Sequence, residues 1–377
     1  MVHEPERIVI APGPVHVPQV LRDAVQPMHH RSDAFRAMVR DMEKMLQELL
    51  GTSSRVYTLT ASGTGAMEAA VANVVRADDR ALVVSGGKFG DRWNEILSAY
   101  GCNTRLLSFE PGAAIDIEAV AAAAAEHEAD IVACTHVESS SGLLLDLHSL
   151  ASRLPRPLIM VDAIASLGAE ELAMDDWGLD VVVSASQKAF ASPPGISFVA
   201  LNDRARGRTP GHASYYFDLG RYEAGRERGD TPFTPALETI QMVHASMLRT
   251  RETGWGLVRE RHRNASSAFI EAMGSLSLES CPANPSAAVQ AFILPDGCDG
   301  AGFLELLRMR HGIIAAGGQG PLRGKIIRTG FLGLLDGGTL LRIARAFAET
   351  LTELGVDTDV TEIESAMGPV SDLPGLF

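Results

Sequence analysis

The stretch Asp180-Val-Val-Val-Ser-Ala-Ser-Gln-Lys-Ala-Phe-Ala-Ser-Pro-Pro-Gly195 carries a run of β-branched residues into a lysine. The valines predict a buried strand, because such runs, bounded by small residues and a Pro-Pro-Gly turn, suit a strand covered on both faces. Lys188 emerges where that strand gives way to Ser186 and Gln187. Upstream, Leu158-Ile-Met-Val-Asp-Ala163 predicts a second buried strand, ending on the carboxylate of Asp162.

Working outward, short apolar runs alternate with helical patterns from about residue 55 to 205. Val56–Thr60, Ala81–Ser85, Thr104–Ser108, Ile131–Thr135 and Ile196–Leu201 join the two strands above, with helices over Ala66–Val75, Asp91–Tyr100 and Ile117–His127 between them. This alternation implies an α/β fold with a mainly parallel sheet, whose ligands sit beyond the carboxyl ends of the strands. Before it, residues from about 20 to 50 have helical spacing through Met38, Met42, Met45, Leu46 and Leu49, stopped by Gly51. After it, a helical pattern from Pro235 to Met273 is interrupted at Gly254-Trp-Gly256 and leads to a smaller α/β unit. Its strands are expected at Ala288–Leu294 and Lys325–Thr329, and its helices at Ala301–Arg310 and Gly338–Leu354. We place the N-terminal arm and large domain at 1–250 and the small domain at 251–377. The tail after Thr361 is expected to be peripheral or mobile.

Composition narrows the class. The chain has 377 residues, 46% hydrophobic and 21% charged, which suits a globular protein with two domains. A net charge of −14 argues against general affinity for nucleic acid or anionic membranes. No apolar run approaches the ~18 residues of a membrane helix. Cys102, Cys134, Cys281 and Cys298 are scattered without a C-x-x-C pair, and the histidines have no metal-ligand spacing. Reduced thiols, no metal and a cytoplasmic location are the expectation.

A lysine and an aspartate at the carboxyl ends of two parallel strands suit pyridoxal phosphate. The lysine attaches the cofactor covalently, and the aspartate keeps the pyridine nitrogen protonated so that the ring withdraws electrons. Thr60-Ala-Ser-Gly-Thr-Gly-Ala-Met-Glu68 follows a strand and opens a helix, so its N–H groups and hydroxyls form a phosphate cradle. It is not a dinucleotide fingerprint, since Glu68 stands where the third glycine belongs, and no G-K-[ST] follows to make a Walker loop.

Together with Ala11-Pro-Gly-Pro14, Thr135-His-Val-Glu-Ser-Ser-Ser-Gly142 and Gly324-Lys-Ile-Ile-Arg-Thr-Gly330, these segments resemble the class V, fold-type I pyridoxal-phosphate enzymes over nearly the whole chain. The closest likeness is to the alanine/serine–glyoxylate (serine–pyruvate) aminotransferase group. The resemblance implies that Lys188 holds the cofactor, Asp162 pairs with the ring nitrogen, and Ser62, Gly63, Thr64 and Gln187 hold the phosphate. It places Ser139 near the phenolic oxygen, Ile164 on one ring face and Phe89 on the other, where close relatives often carry tryptophan. It implies a homodimer in which a neighbouring subunit completes the phosphate site with a tyrosine and a threonine. Thr234 preserves the threonine, whereas Thr231 stands where the tyrosine belongs. Arg328 is implied to bind the substrate α-carboxylate, which a planar guanidinium grips with two parallel bonds. His30 and Arg31, at the dimer interface in such enzymes, are candidates to read the distal part of the substrate.

Transamination of a small amino acid, alanine or serine foremost, with a small 2-oxo acid, glyoxylate or pyruvate, is the activity so implied. An aminophosphonate donor such as 2-aminoethylphosphonate is an alternative. A desulfurase or lyase is another, disfavoured because no cysteine lies between Arg310 and Arg328 and because Phe89, not histidine, occupies the stacking position. A non-catalytic interaction subunit is a third; some relatives carry hydrogenase-associated names, but retention of Lys188, Asp162 and Arg328 favours catalysis.

Overall fold

A computed structural model describes residues 7–208, 214–226, 228–333, 336–356, 358 and 360–377. Its centre is a seven-stranded sheet of β1 (Arg55–Leu59), β2 (Arg80–Ser85), β3 (Asn103–Ser108), β4 (Ile131–Thr135), β5 (Leu158–Asp162), β6 (Val181–Ala185) and β7 (Ser197–Leu201), in the order β1-β7-β6-β5-β4-β2-β3. β7 runs antiparallel to both neighbours and the remaining pairs are parallel. This is the mainly parallel α/β sheet expected, with one reversed strand near an edge.

Both faces are covered, which explains the unbroken apolar runs. On β4, Val132 and Cys134 join a core with Met42, Met45, Leu46 and Leu49 of α1 (Asp33–Leu50). Ile131 and Ala133 of the same strand face the other way, into a core built on α2 (Gly63–Val74) and on Trp93 and Leu97 of α3 (Lys88–Ala99). The alanine run from Ile117 to Glu126 is helical, capped by the Asp116 carboxylate accepting from the N–H groups of Glu118 and Ala119.

Two long helices, Leu237–Thr253 and Trp255–Ser275, meet at Gly254 and lead to a second sheet, in which Gln290–Ile293 and Ile326–Thr329 pair antiparallel. Its core gathers Phe269, Phe292, Phe303, Ile327 and Phe347. The N-terminus also belongs here, because Ile8 and Val9 pair in parallel with Ile313 and Ile314, and Ile10 is fully buried in this core.

Two expectations need correction. The 20–50 segment is not one helix: α1 begins at Asp33, where the Ser32 hydroxyl accepts from the Phe35 N–H, and only Gln19–Arg22 is helical before it. The tail is not peripheral either. Thr361–Met367 is a helix whose Ile363, Ala366 and Met367 lie in the second core, followed there by Val370.

Candidate active site

The carboxyl ends of β5 and β6 are hydrogen-bonded neighbours, with Asp162 opposite Val183 and, across β4, opposite Thr135. Parallel pairing therefore brings Asp162 and the turn carrying Lys188 to one rim of the sheet. Both are buried, Lys188 at 8% exposure and Asp162 at 3%. The Asp162 Oδ1 accepts from the Ile164 N–H at 2.8 Å. Burial pushes its carboxyl up to about 7, reinforced by Glu138 and opposed by that hydrogen bond, Lys188 and Arg92. Burial pushes the Lys188 amine down to about 8, with Asp162 opposing and Arg328 reinforcing the shift. The Lys188 Nζ donates to the Pro12 carbonyl. Gly13 makes that approach possible, since a Cβ there would lie 2.8 Å from Nζ and its φ of +127° strains any other residue.

The turn expected to cradle the phosphate is the start of α2. Ser62 caps it, its hydroxyl accepting from the Gly65 N–H at 3.2 Å. A Cβ on Gly63 would meet Ile164 Cδ1 at 2.5 Å, so the cradle and the residue expected on the ring face touch. Phe89, half-buried on α3, borders the same cleft through Arg92, whose guanidinium carbon lies 4.8 Å from the Phe89 centroid and whose Nη1 donates to Thr64 Oγ1 at 3.2 Å.

Arg328 enters from the second sheet. Its Nε donates to the Gly317 carbonyl at 2.9 Å and its Nη1 to the Ser139 carbonyl at 2.6 Å. The Ala316–Gly317 strand and the Ser139 turn thus fix the plane of the fork. Ser139 is buried, and its neighbour Glu138 is the organiser that sequence reading missed. Glu138 Oε2 accepts from the N–H groups of Phe89 and Gly90, each at 3.0 Å, and its Oε1 accepts from the Ser140 N–H at 3.0 Å. One carboxylate therefore caps α3 and shapes the Ser139–Ser140 turn. The visible signal was a glutamate inside an otherwise apolar and hydroxyl-rich run.

The residues present fit pyridoxal phosphate on structural grounds. Gln187 Oε1 and Thr135 Oγ1 are buried beside Lys188 and Asp162 in sequence and register, with no hydrogen-bond partner among the described residues. Leaving such atoms unpaired costs roughly 1–3 kcal/mol each, a cost that a polar ligand relieves. A helix N-terminus, a buried amine and a buried carboxylate match the anion, aldehyde and ring nitrogen of the cofactor.

Four candidates lie apart from this group. The Arg31 Nη1 pairs with Asp230 at 3.6 Å, and the ring of His30 lies against His29. Thr234 is exposed, whereas Thr231 is buried and its hydroxyl donates to the Phe233 carbonyl at 2.8 Å. Asp230 thus joins the 30–31 and 231–234 segments into one surface, with no contact to Lys188 within the chain among the described residues.

Residues 19–215 match the sequence profile of the family described as aminotransferase class-V. The chain is 35% identical to the "Soluble hydrogenase, small subunit" of a Synechococcus species, over 92% of this chain and 94% of that protein. It is 29% identical to the L-aspartate–glyoxylate aminotransferase of Paracoccus denitrificans, over 90% of this chain and 89% of that one. The crystal structure of ureidoglycine–glyoxylate aminotransferase from Bacillus subtilis superposes with a TM-score of 0.91 at 28% identity, covering 98% of this chain and 99% of its own.

Proposed function

The chain belongs to the class-V aminotransferases, a pyridoxal-phosphate-dependent transaminase of fold type I, and from that premise we propose that it moves the amino group of a small amino acid, alanine or serine foremost, to glyoxylate or pyruvate. The observation that carries this reading is the convergence of Lys188, Asp162 and Arg328 at one buried rim. A non-catalytic role gives no reason to bury two cations beside a carboxylate, which is costly unless each has a task.

When bound, pyridoxal phosphate supplies an electron sink for the charge that develops at the substrate Cα. Lys188 would be its attachment point, Asp162 would hold its ring nitrogen, and Ser62, Gly63, Thr64 and Gln187 would hold its phosphate. Phe89 and Ile164 would cover the ring, and Ser139 would serve its phenolic oxygen. Arg328, held by two backbone carbonyls, binds the α-carboxylate common to donor and acceptor and so presents Cα to Lys188. The Lys188 Nζ, once free of the cofactor, would take the proton from Cα and hold it for return, so that over two half-reactions the amino group would pass from donor to acceptor with no net oxidation. With its amine pushed down to about 8, Lys188 can exchange a proton near neutral pH.

The wider assembly is part of the proposal. The domains divide near residue 250, the protein works as a cytoplasmic homodimer, and Thr234, Arg31 and His30 act at the other subunit's site. Their shared surface around Asp230 supports this. Thr231 is the weaker candidate, because its hydroxyl is engaged within its own chain.

Alanine, serine, aspartate and 2-aminoethylphosphonate, each assayed with glyoxylate and pyruvate, test the reading. Arg328→Ala should raise KM for every carboxylate substrate, at a cost of roughly 2–5 kcal/mol in kcat/KM. Absence of transamination with all pairs, or an Arg328→Ala variant as active as the parent, would refute it.

A further inference from the structure

Arg92 has no part in the roles assigned above. It sits one helical turn after Phe89 on α3, and this spacing puts both side chains on one face. Its guanidinium carbon lies 4.8 Å from the Phe89 centroid, within cation–π range. Its Nη1 donates to Thr64 Oγ1 at 3.2 Å. Among the described residues it forms no ion pair with a carboxylate, although it is half-buried. Asp162 feels its charge but does not pair with it, and a half-buried cation that hydrogen-bonds the cradle without a paired carboxylate suits an anion there.

The hydroxyl chemistry sharpens this. A threonine hydroxyl has one proton to give and two lone pairs to receive. Arg92 occupies a lone pair of Thr64 Oγ1, so the single proton must point elsewhere. The Gly63–Gly65 helix start beside it already favours negative charge. Thr231 offers no free proton in its own chain, since it donates to the Phe233 carbonyl.

We propose that Arg92 is a positioning residue for the phosphate end of the cofactor, orienting Thr64 Oγ1 as a donor and placing positive charge behind it. The proposal rests on reading the Ser62–Thr64 turn as the phosphate seat. Stacking on Phe89 keeps the guanidinium in place, so the ring that covers the cofactor also braces its phosphate site.

The test measures equilibrium binding of pyridoxal phosphate and of pyridoxal, which lacks the phosphate, to apoprotein, with thermal midpoints as a check on folding. Arg92→Gln should weaken pyridoxal phosphate roughly ten- to hundredfold, as expected for loss of a charged hydrogen-bond partner. Pyridoxal binding should change less than about threefold, because pyridoxal has no phosphate for the guanidinium to serve. Thr64→Val should show the same selectivity. The double variant should be no worse than the weaker-binding single variant within about twofold, because both changes cut one connected path.

Equal losses for the two ligands, or losses that multiply in the double variant, overturn the role of Arg92. If Arg92→Gln does not fold, Arg92→Lys takes its place in the cycle, since it keeps a charge but not the fork. A parent protein that binds pyridoxal as tightly as pyridoxal phosphate overturns the phosphate seat itself, and this proposal with it. Unselective variants of a parent that prefers the phosphate overturn only the part given to Arg92.

Discussion

Burial acts on Lys188 and Asp162 in opposite directions and brings both into the range where enzymes work. The lysine is pushed down to about 8 and the aspartate up to about 7, each toward its uncharged form. Only the neutral amine attacks an aldehyde. The rate at which apoprotein captures pyridoxal phosphate should therefore climb with pH through about 8 and level off above it, where an ordinary lysine would still be climbing. Asp162 raises the Lys188 value, so Asp162→Asn should move that inflection to lower pH. The same variant should lose turnover on the order of 10²–10³-fold, because a neutral amide cannot hold the ring nitrogen protonated. Stopped-flow capture profiles read the first outcome and steady-state rates the second. An inflection near 10 in the parent, or near-parental turnover in Asp162→Asn, would sink these roles. Lys188 and Asp162 were legible in the sequence because strand ends are local features. Glu138 and Arg92 were not, because their partners lie 49 and 28 residues away, a proximity created only when α3 docks beside the cradle.

The same division holds at the scale of elements. Strands β4 to β6 announced themselves, since burial on both faces leaves no polar alternation to blur them. The carboxyl-terminal helix was misread because its acidic residues and nearby Pro and Gly resemble a mobile tail. Yet Ile363, Ala366, Met367 and Val370 follow helical spacing and are all buried. Their stripe spans barely two turns, too short for periodicity to outweigh composition. The N-terminal strand, two residues long, was invisible because its pairing partner is some three hundred residues away. If the helix closes the second core, Ile363→Ala or Met367→Ala should cost about 2–5 kcal/mol in denaturant unfolding. Glu362→Ala, on the exposed side of the same helix, should stay within about 0.5 kcal/mol. Equal, small effects at all three positions would return the segment to the periphery.

For the whole molecule, the question is whether the surface around Asp230 belongs to its own active site or to a partner's. Arg31 pairs with Asp230, as does Arg36, so the arginine is already oriented by the segment that carries Thr234. Among the described residues of one chain this surface makes no hydrogen bond or ion pair with Lys188, and twofold closure is the commonest way for a soluble enzyme to bring such a surface to a second site. Mixed dimers can decide the matter. A Lys188→Ala homodimer should be inactive, and an Arg31→Ala homodimer should be impaired mainly with donors bearing a second anionic group, such as aspartate. In a Lys188→Ala/Arg31→Ala hybrid, the one site that keeps Lys188 faces a partner that keeps Arg31. If Arg31 acts across the interface, that site is whole, and the hybrid should show about half the parental rate per dimer with aspartate. If Arg31 acts within its own chain, every site with Lys188 lacks Arg31, and the hybrid should fall to half the rate of the Arg31→Ala homodimer. Alanine, with no second charge, should turn over at half the parental rate in either case, which counts the sites that keep Lys188. A fully active monomer in sedimentation, or an Arg31→Ala defect shared equally by alanine and aspartate, would show that this surface has no part in reading the substrate.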